Sequence, residues 1–427
     1  MVLAAVAAGR EAALRTLLDS MNLKPGMADP ANALMPFGLF EQLHFARFAL
    51  LDDATLGDLE RFGLPRPSVP MYLAFLGDCD GPKESQMSEF VQSAGPGLRQ
   101  IFSHCEGFDP GTDLYGWLMA HDLPVAAFYV NRIGRTVGRV REDSALQKAL
   151  SARVPRNPQG VGAGADAQAV RRMLLDFVRA ETAAGRLVLS AEAPTPPAWA
   201  LCNLAHAIGL PLIGLVLLPV IVVLLPVVAI LLRLHETRDP EYCPPPDRSA
   251  VLAMQALEDH ELTNSFTALG PVKPGLFRRW FTQLLLLLID YACRHVFGRG
   301  HLARVQTIHF ARWVFIDRKS RVLFASNYDG SHESYMDDFI NKAAWGLNLI
   351  FSNGFGWPRT DWLILGGARH ELRFKHYQRR HQLPTQVWYK AYPGLTLGDL
   401  ERNRRIREGV EQATMTDAQA RAWLSLL

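Results

Sequence analysis

His309 and Arg312 stand three residues apart in an apolar run, and the same pair occurs as His44 and Arg47 near the start of the chain. Each pair is followed by an Asp-Gly step, Asp80-Gly81 after the first and Asp329-Gly330 after the second. An imidazole, a guanidinium and a carboxylate that return in one order are the residues with which this chain could do chemistry. Side chains alternate along a strand, so His309 should point with Ala311, Trp313 and Phe315, and Arg312 with Phe310, Val314 and Ile316. One of the two then faces the space between repeats and the other faces the helices. A charge among apolar groups is costly unless paired, which predicts a structural ion pair such as Arg312 with Glu333 or Asp337. The plain reading of His309 is a core histidine bonded to backbone. That of Asp80 and Asp329 is a turn residue that caps the next helix or favours its dipole.

The elements that must position these residues are themselves repeated. Leu43-His44-Phe45-Ala46-Arg47 returns as Ile308-His309-Phe310-Ala311-Arg312, and Asp52 matches Asp317. Asp80-Gly81-x-x-Glu84-Ser85 returns as Asp329-Gly330-x-x-Glu333-Ser334. Gly97, Leu98, Ile101 and Phe102 match Gly346, Leu347, Ile350 and Phe351, and His121-x-Leu123-Pro124 matches His381-x-Leu383-Pro384. Blocks in one order in both halves mean a duplication. Each copy reads as two strands (43–51 and 71–76; 308–316 and 322–327), an Asp-Gly turn and an amphipathic helix. In the second copy follow a strand near 362–365, a basic helix over 368–381 and a strand at 385–389, an order β-β-α-β-α-β. The first copy leaves little room for the extra helix between Phe108 and His121. A sheet with helices on one face needs its other face buried, so the two copies are expected to pack sheet to sheet within the chain.

Residues 193–232 contain no Lys, Arg, Asp or Glu, and 207–232 is almost pure Leu, Ile and Val. About 20 apolar residues suffice to cross a bilayer. Pro211, Pro219 and Pro226 interrupt the run, and each removes a backbone donor, so a kinked span or a re-entrant hairpin is expected. Arg171, Arg172, Arg179 and Arg186 precede it and Arg233, Arg238 and Arg248 follow, which would keep both flanks in the cytoplasm. A second greasy stretch, 280–289, is short for a span and fits an interfacial helix or a returning anchor. The segments implied are an N-terminal helical stretch (1–42), the first repeat (43–150), a linker and helix (151–197), a membrane-inserted segment (198–234), a connector (235–304), the second repeat (305–412) and a C-terminal helix (413–427). Residues 1–8 read as helix, not signal peptide, because no basic residues precede them.

Hydrophobic residues make up 49% and charged residues 20% of the chain, an oily balance, and the net charge of +3 gives no case for nucleic acid. The five cysteines are scattered without CxxC spacing, which provides neither a zinc site nor a disulfide framework. His370, His376 and His381 are spaced by six and five and do not share a helix face. Glu258-Asp259-His260 with Asn264 defines no known chemistry.

The duplicated α+β arrangement resembles the dimeric α+β barrel superfamily, in which two ferredoxin-like units pack sheet to sheet. Gly77-x-x-Asp80-Gly81 spells the GxxDG motif of one single-chain branch, the dye-decolorizing peroxidases; the second copy reads Ser326-Asn327-Tyr328-Asp329-Gly330. The resemblance spans roughly residues 40–150 and 305–412. It implies haem, with His309 (or its copy His44) on the iron and Arg312, Asp329, Arg47 or Asp80 as distal groups. The expected function is then a membrane-associated haem peroxidase-like oxidoreductase acting on an apolar substrate. The competing expectations are a non-catalytic membrane protein that binds lipid or another apolar molecule between the repeats, and a structural membrane protein whose basic helix meets headgroups.

Overall fold

The computed structural model describes residues 1–154, 166–192, 194–298 and 300–427. The mixed α+β chain divides into two compact units, Met1–Ile133 with Pro196–Ala391, and Gly134–Thr195 with Tyr392–Leu427. The first unit begins with β1 (Val2–Ala5), α1 (Glu11–Asp19), β2 (Leu43–Leu51), β3 (Tyr72–Cys79), α2 (Lys83–Phe102), α3 (Leu114–Ala120) and β4 (Ala127–Val130). The chain then forms α4 (Val137–Ser151) and α5 (Ala167–Ala183) in the second unit and returns with α6 (Pro197–Val216), α7 (Leu218–Arg238) and α8 (Arg248–Gln255). A second series follows: β5 (Thr263–Pro271), α9 (Leu276–His295), β6 (Ile308–Ile316), β7 (Arg321–Asp329), α10 (His332–Lys342), α11 (Ala344–Phe351), α12 (Glu371–His381) and β8 (Thr385–Lys390). Helices α13 (Leu397–Glu411) and α14 (Asp417–Leu424) belong to the second unit.

The eight strands make two antiparallel sheets, ordered β1-β3-β2-β8 and β4-β6-β7-β5. The last strand of each repeat is exchanged. Strand β8 of the second copy closes the β2 edge of the first, and β4 of the first copy closes the β6 edge of the second. An open edge is a liability for a sheet, and here each copy covers the other's. Every residue of β2 is buried, as a strand covered on both faces requires. Ala46, Phe48 and Leu50 pack with Leu14, Phe90 and Ile101 under the helices. Ala49 and Leu51 point the other way and meet Val314, Ile316, Leu323 and Ala325 of the opposite sheet. The sheets therefore face one another with helices outside.

Several expectations are corrected. Residues 2–5 form a strand, because their apolar row pairs with β3 (Val2 opposite Phe75) where a helix would leave the β3 edge bare. Ahead of the two His-Arg strands the structure adds β1-α1 and β5-α9, so the two series read β-α-β-β-α-α-β and β-α-β-β-α-α-α-β. The first copy does have room for a helix, the seven-residue α3, capped by the Asp113 side chain. The stretch near 362–365 lies outside both sheets, where Thr360–Asp361 and Leu365–Gly366 pair only with each other. The linker read over 151–164 lies largely outside the described residues.

Helices α6 and α7 are each long and apolar enough to cross a membrane. No residue of α6 is buried, and in α7 only Leu232 and Glu236 are. The two helices meet at Leu217, just ahead of Pro219, whose ring removes a helix donor. Within the second unit, α4 and α13 follow the two exchanged strands at the same offset and pair with each other. Thr136 and Thr396 cap them, each accepting from the amide three residues on, and Asp399 completes a capping box at α13. Arg407 is buried there against Glu142 (2.8 Å), Asp143 (3.1 Å) and Glu411 (2.9 Å).

Candidate functional site

The six residues singled out by type and spacing come together between the two sheets. The register of β2 against β3 slips between Leu43 and Phe45, and that of β6 against β7 slips between Ile308 and Phe310. Each slip is a β-bulge, and its extra residue is the histidine. A bulge breaks the strict alternation of a strand. His44 therefore shares a face with Arg47, and His309 with Arg312, contrary to the alternation expected of an unbroken strand. The His44 ring lies 5.4 Å from Phe310, and the His309 ring 5.2 Å from Phe45, each across the sheet interface.

Both arginines cross that interface. Arg47 donates to the Phe266 carbonyl (2.7 Å), the Ser326 carbonyl (2.9 Å), Thr267 Oγ1 (3.0 Å) and Asn327 Oδ1. Arg312 donates to the Gly77 carbonyl (3.1 Å) and to Asp78. Asn327 Nδ2 closes the network on Asp78 Oδ2 at 2.7 Å. Each guanidinium also lies over an aromatic ring of an exchanged strand, Arg47 over Trp388 (5.0 Å) and Arg312 over Phe128 (5.2 Å). Positions 78 and 327 correspond in the duplication, so two buried cations share one carboxylate and its neutral isostere. Burial pulls Arg47 down to about 9, with Asp78 opposing and Arg312 adding to the fall; at neutral pH it keeps its charge.

The partners differ from those expected. Glu333 and Asp337 sit on the outer helix layer, where they meet Arg379 (3.3 Å) and Lys375 (3.0 Å), on the far side of the sheet from Arg312. Asp329 does not cap α10; Ser331 does. Asp329 instead holds His309 Nε2 at 2.7 Å and accepts from Thr263 Oγ1 at 2.9 Å. Asp80 holds His44 Nε2 at 3.0 Å. The Asp-Gly turns form as read, with φ of +81° at Gly81 and +90° at Gly330, a region glycine enters freely. A haem iron would need an imidazole Nε2 facing open space. Here both Nε2 atoms are committed to carboxylates and both rings are packed against phenylalanine. The residues present do not fit an axial ligand, and no chemical step is derived through haem.

Open space among the described residues lies elsewhere, at a place residue types did not reveal. An open groove of about 1020 Å³ runs between the first copy and the α8–α12 side of the second. Its lining includes the apolar Tyr242, Pro244, Pro246, Met254 and Leu257 and the polar Arg15, Asn22, Asp52, Gln382 and Gln386. Arg380, at its edge, is held in a two-pronged pair by Asp58 (2.6 and 2.8 Å). His381 borders the groove but is turned away from solvent. Its Nδ1 donates to the Tyr377 carbonyl at 2.8 Å, and its ring packs so tightly on Gly270 that a Cβ there would lie 2.5 Å from it. Burial pushes its pKa below the ordinary range. His121 makes the same bond to Trp117 (2.8 Å) in the first copy, which marks this histidine as a duplicated helix stop. The residues 258–264 brace the groove's far end: Glu258 grips Arg379 at 2.8 and 2.9 Å, and Asp259 accepts from the His332 amide.

No known protein family, curated protein or solved structure matches this chain.

Proposed function

We propose that this chain is a membrane-anchored binding protein: two ferredoxin-like-type repeats form a closed scaffold, and the groove where they meet takes an amphipathic small molecule. The groove carries this reading. It is the size of a ligand site, and it combines apolar and polar lining residues. The His-Arg-Asp network, by contrast, spends its donors and acceptors on joining the sheets.

The anchor is a re-entrant insertion of α6 and α7. Both of its feet are tied to one helix, α9. His206 meets His295 at 2.8 Å, Asn203 meets Arg294 at 2.8 Å, and the Ala207 carbonyl accepts from Tyr291. At the other foot His235 stacks on Phe277, and Glu236 accepts from Thr360, Trp362 and Leu363. From Phe277 to His295 α9 covers roughly 27 Å, whereas a straight helix from His206 to His235 would cover roughly 44 Å. The insertion must bend at Leu217. The arms beyond the feet are then about 16 and 27 Å long, and the shorter one falls well short of a full crossing of about 30 Å. Basic residues on both flanks support a cytoplasmic side for the feet and both repeats.

The test is solvent extraction and mass spectrometry of protein purified in native nanodiscs, beside an Ala253→Trp variant that fills the groove. A small molecule present at about one per chain and lost in the variant is expected. Nothing above background in the wild type sinks the binding reading, and a Soret band in the same sample would favour the haem oxidoreductase instead.

A further inference from the structure

The two copies differ most in what their helix layers show to the outside. In α1, α2 and α3 of the first copy no large apolar side chain is exposed among the described residues. The corresponding layer of the second copy is studded with them. Helix α9 exposes Leu276, Trp280, Leu284, Leu287 and Leu288, spaced along one face. The Thr360–Gly366 hairpin exposes Trp362, Ile364 and Leu365, α11 exposes Trp345, and α12 exposes Leu372. Trp280 is 67% exposed and Leu372 68%, values far outside a core. Helix α9, α11 and the hairpin meet in one small cluster, in which Leu232 of the anchor packs with Leu285 and Leu363 beside Phe277, Phe281 and Leu349. The apolar face is thus continuous with the inserted helices.

We infer that this face is a second membrane contact, which lays the helix layer of the second repeat flat in the headgroup region of an anionic bilayer. Trp side chains favour that depth, since the ring body is apolar and the indole N–H is wet. Arg279 on α9, and Arg359 and Arg369 on either side of the hairpin, stand exposed with no ion pair among the described residues, and each cation near an anionic surface adds attraction. The first repeat then faces away from the membrane. The duplication makes the argument sharper than exposure alone, because one scaffold provides its own control: the copy without the apolar shell is the copy with no anchor packed on it. The inference rests on the anchored reading above and adds to it an orientation.

A photoactivatable phosphatidylglycerol in liposomes holding the full-length protein reads this directly. Peptide mapping should find lipid adducts in 197–238 and, in addition, in 276–288, 345 and 362–372, with none in 11–19 or 83–102. A Trp280→Glu/Leu372→Glu double variant should lose the additional adducts several-fold while keeping those in 197–238 and an unchanged Tm. Adducts confined to 197–238 in the wild type overturn the second contact and leave the anchor standing. Equal labelling of both repeats overturns the orientation. No adducts anywhere remove the anchor, and the inference with it.

Discussion

Among the described residues Asp78 is the carboxylate that bonds Arg312 and opposes the fall at Arg47, and replacing it with asparagine is the sharpest perturbation the sheet interface offers. The substitution keeps shape and turns position 78 into a copy of Asn327. It leaves two guanidinium groups buried (relative exposures 3% and 6%) with only neutral partners. Removing one member of a buried pair typically costs about 3–5 kcal/mol, because the remaining charge stays desolvated. Asp78→Asn should therefore lower the Tm by several degrees or more. The duplication provides the control. In the exchange variant Asp78→Asn/Asn327→Asp the carboxylate moves to the mirror position, beside Arg47, which already donates to residue 327. That variant should recover most of the loss, although it carries more changes. The assay is thermal or chemical denaturation of the detergent-solubilised protein, followed by near-ultraviolet circular dichroism, since Trp388 and Phe128 lie on the two guanidiniums. An Asp78→Asn midpoint within a degree of wild type, or an exchange variant no more stable than the single one, refutes the charge argument.

Two further outcomes follow from packing and protonation. Gly97 and Gly346 match in the duplication, yet a Cβ on Gly97 would lie 1.9 Å from the Leu34 carbonyl oxygen while one on Gly346 meets nothing within 4 Å. Gly97→Ala should thus destabilise by more than about 1 kcal/mol, and Gly346→Ala should stabilise by about 0.5–1 kcal/mol; equal shifts in the two denaturation midpoints would contradict this. His332 is buried, and desolvation pushes its pKa down to about 4. The unfolded chain binds that proton first, near the ordinary 6.5, so the stability held by the neutral ring is full above about pH 6.5 and drains away as pH falls toward 4. The loss is at most about 3 kcal/mol. His332→Phe should flatten the midpoint between pH 7 and 4.5, and a variant profile parallel to wild type would place the acid sensitivity elsewhere.

Much of this architecture is legible without coordinates because it depends on local pattern. Apolar length marks α6 and α7, since a helix of that composition has no polar face to show water. Matching blocks reveal the duplication, and the burial needs of a one-sided sheet imply that the copies pack together. The Asp-Gly turns are legible as well, because only glycine takes that positive φ without strain. What the residues did not disclose is whatever depends on pairing between distant strands. A single extra residue at His44 and His309 turned both histidines onto the arginine face, and nothing in local alternation signals a bulge. The exchange of β4 and β8 decides which copy holds which arginine's aromatic partner, and strand exchange leaves no mark on composition. The groove is also invisible in sequence, because its walls come from segments more than 300 residues apart. Sequence by itself thus determined two segments long and apolar enough to cross a membrane, the recurring residue blocks and the residues able to carry charge into the core. Tertiary structure alone decided that those charges face one another, are saturated there, and leave the open space elsewhere, because the partner of a buried charge is set by which surfaces meet and not by which residues are neighbours in the chain.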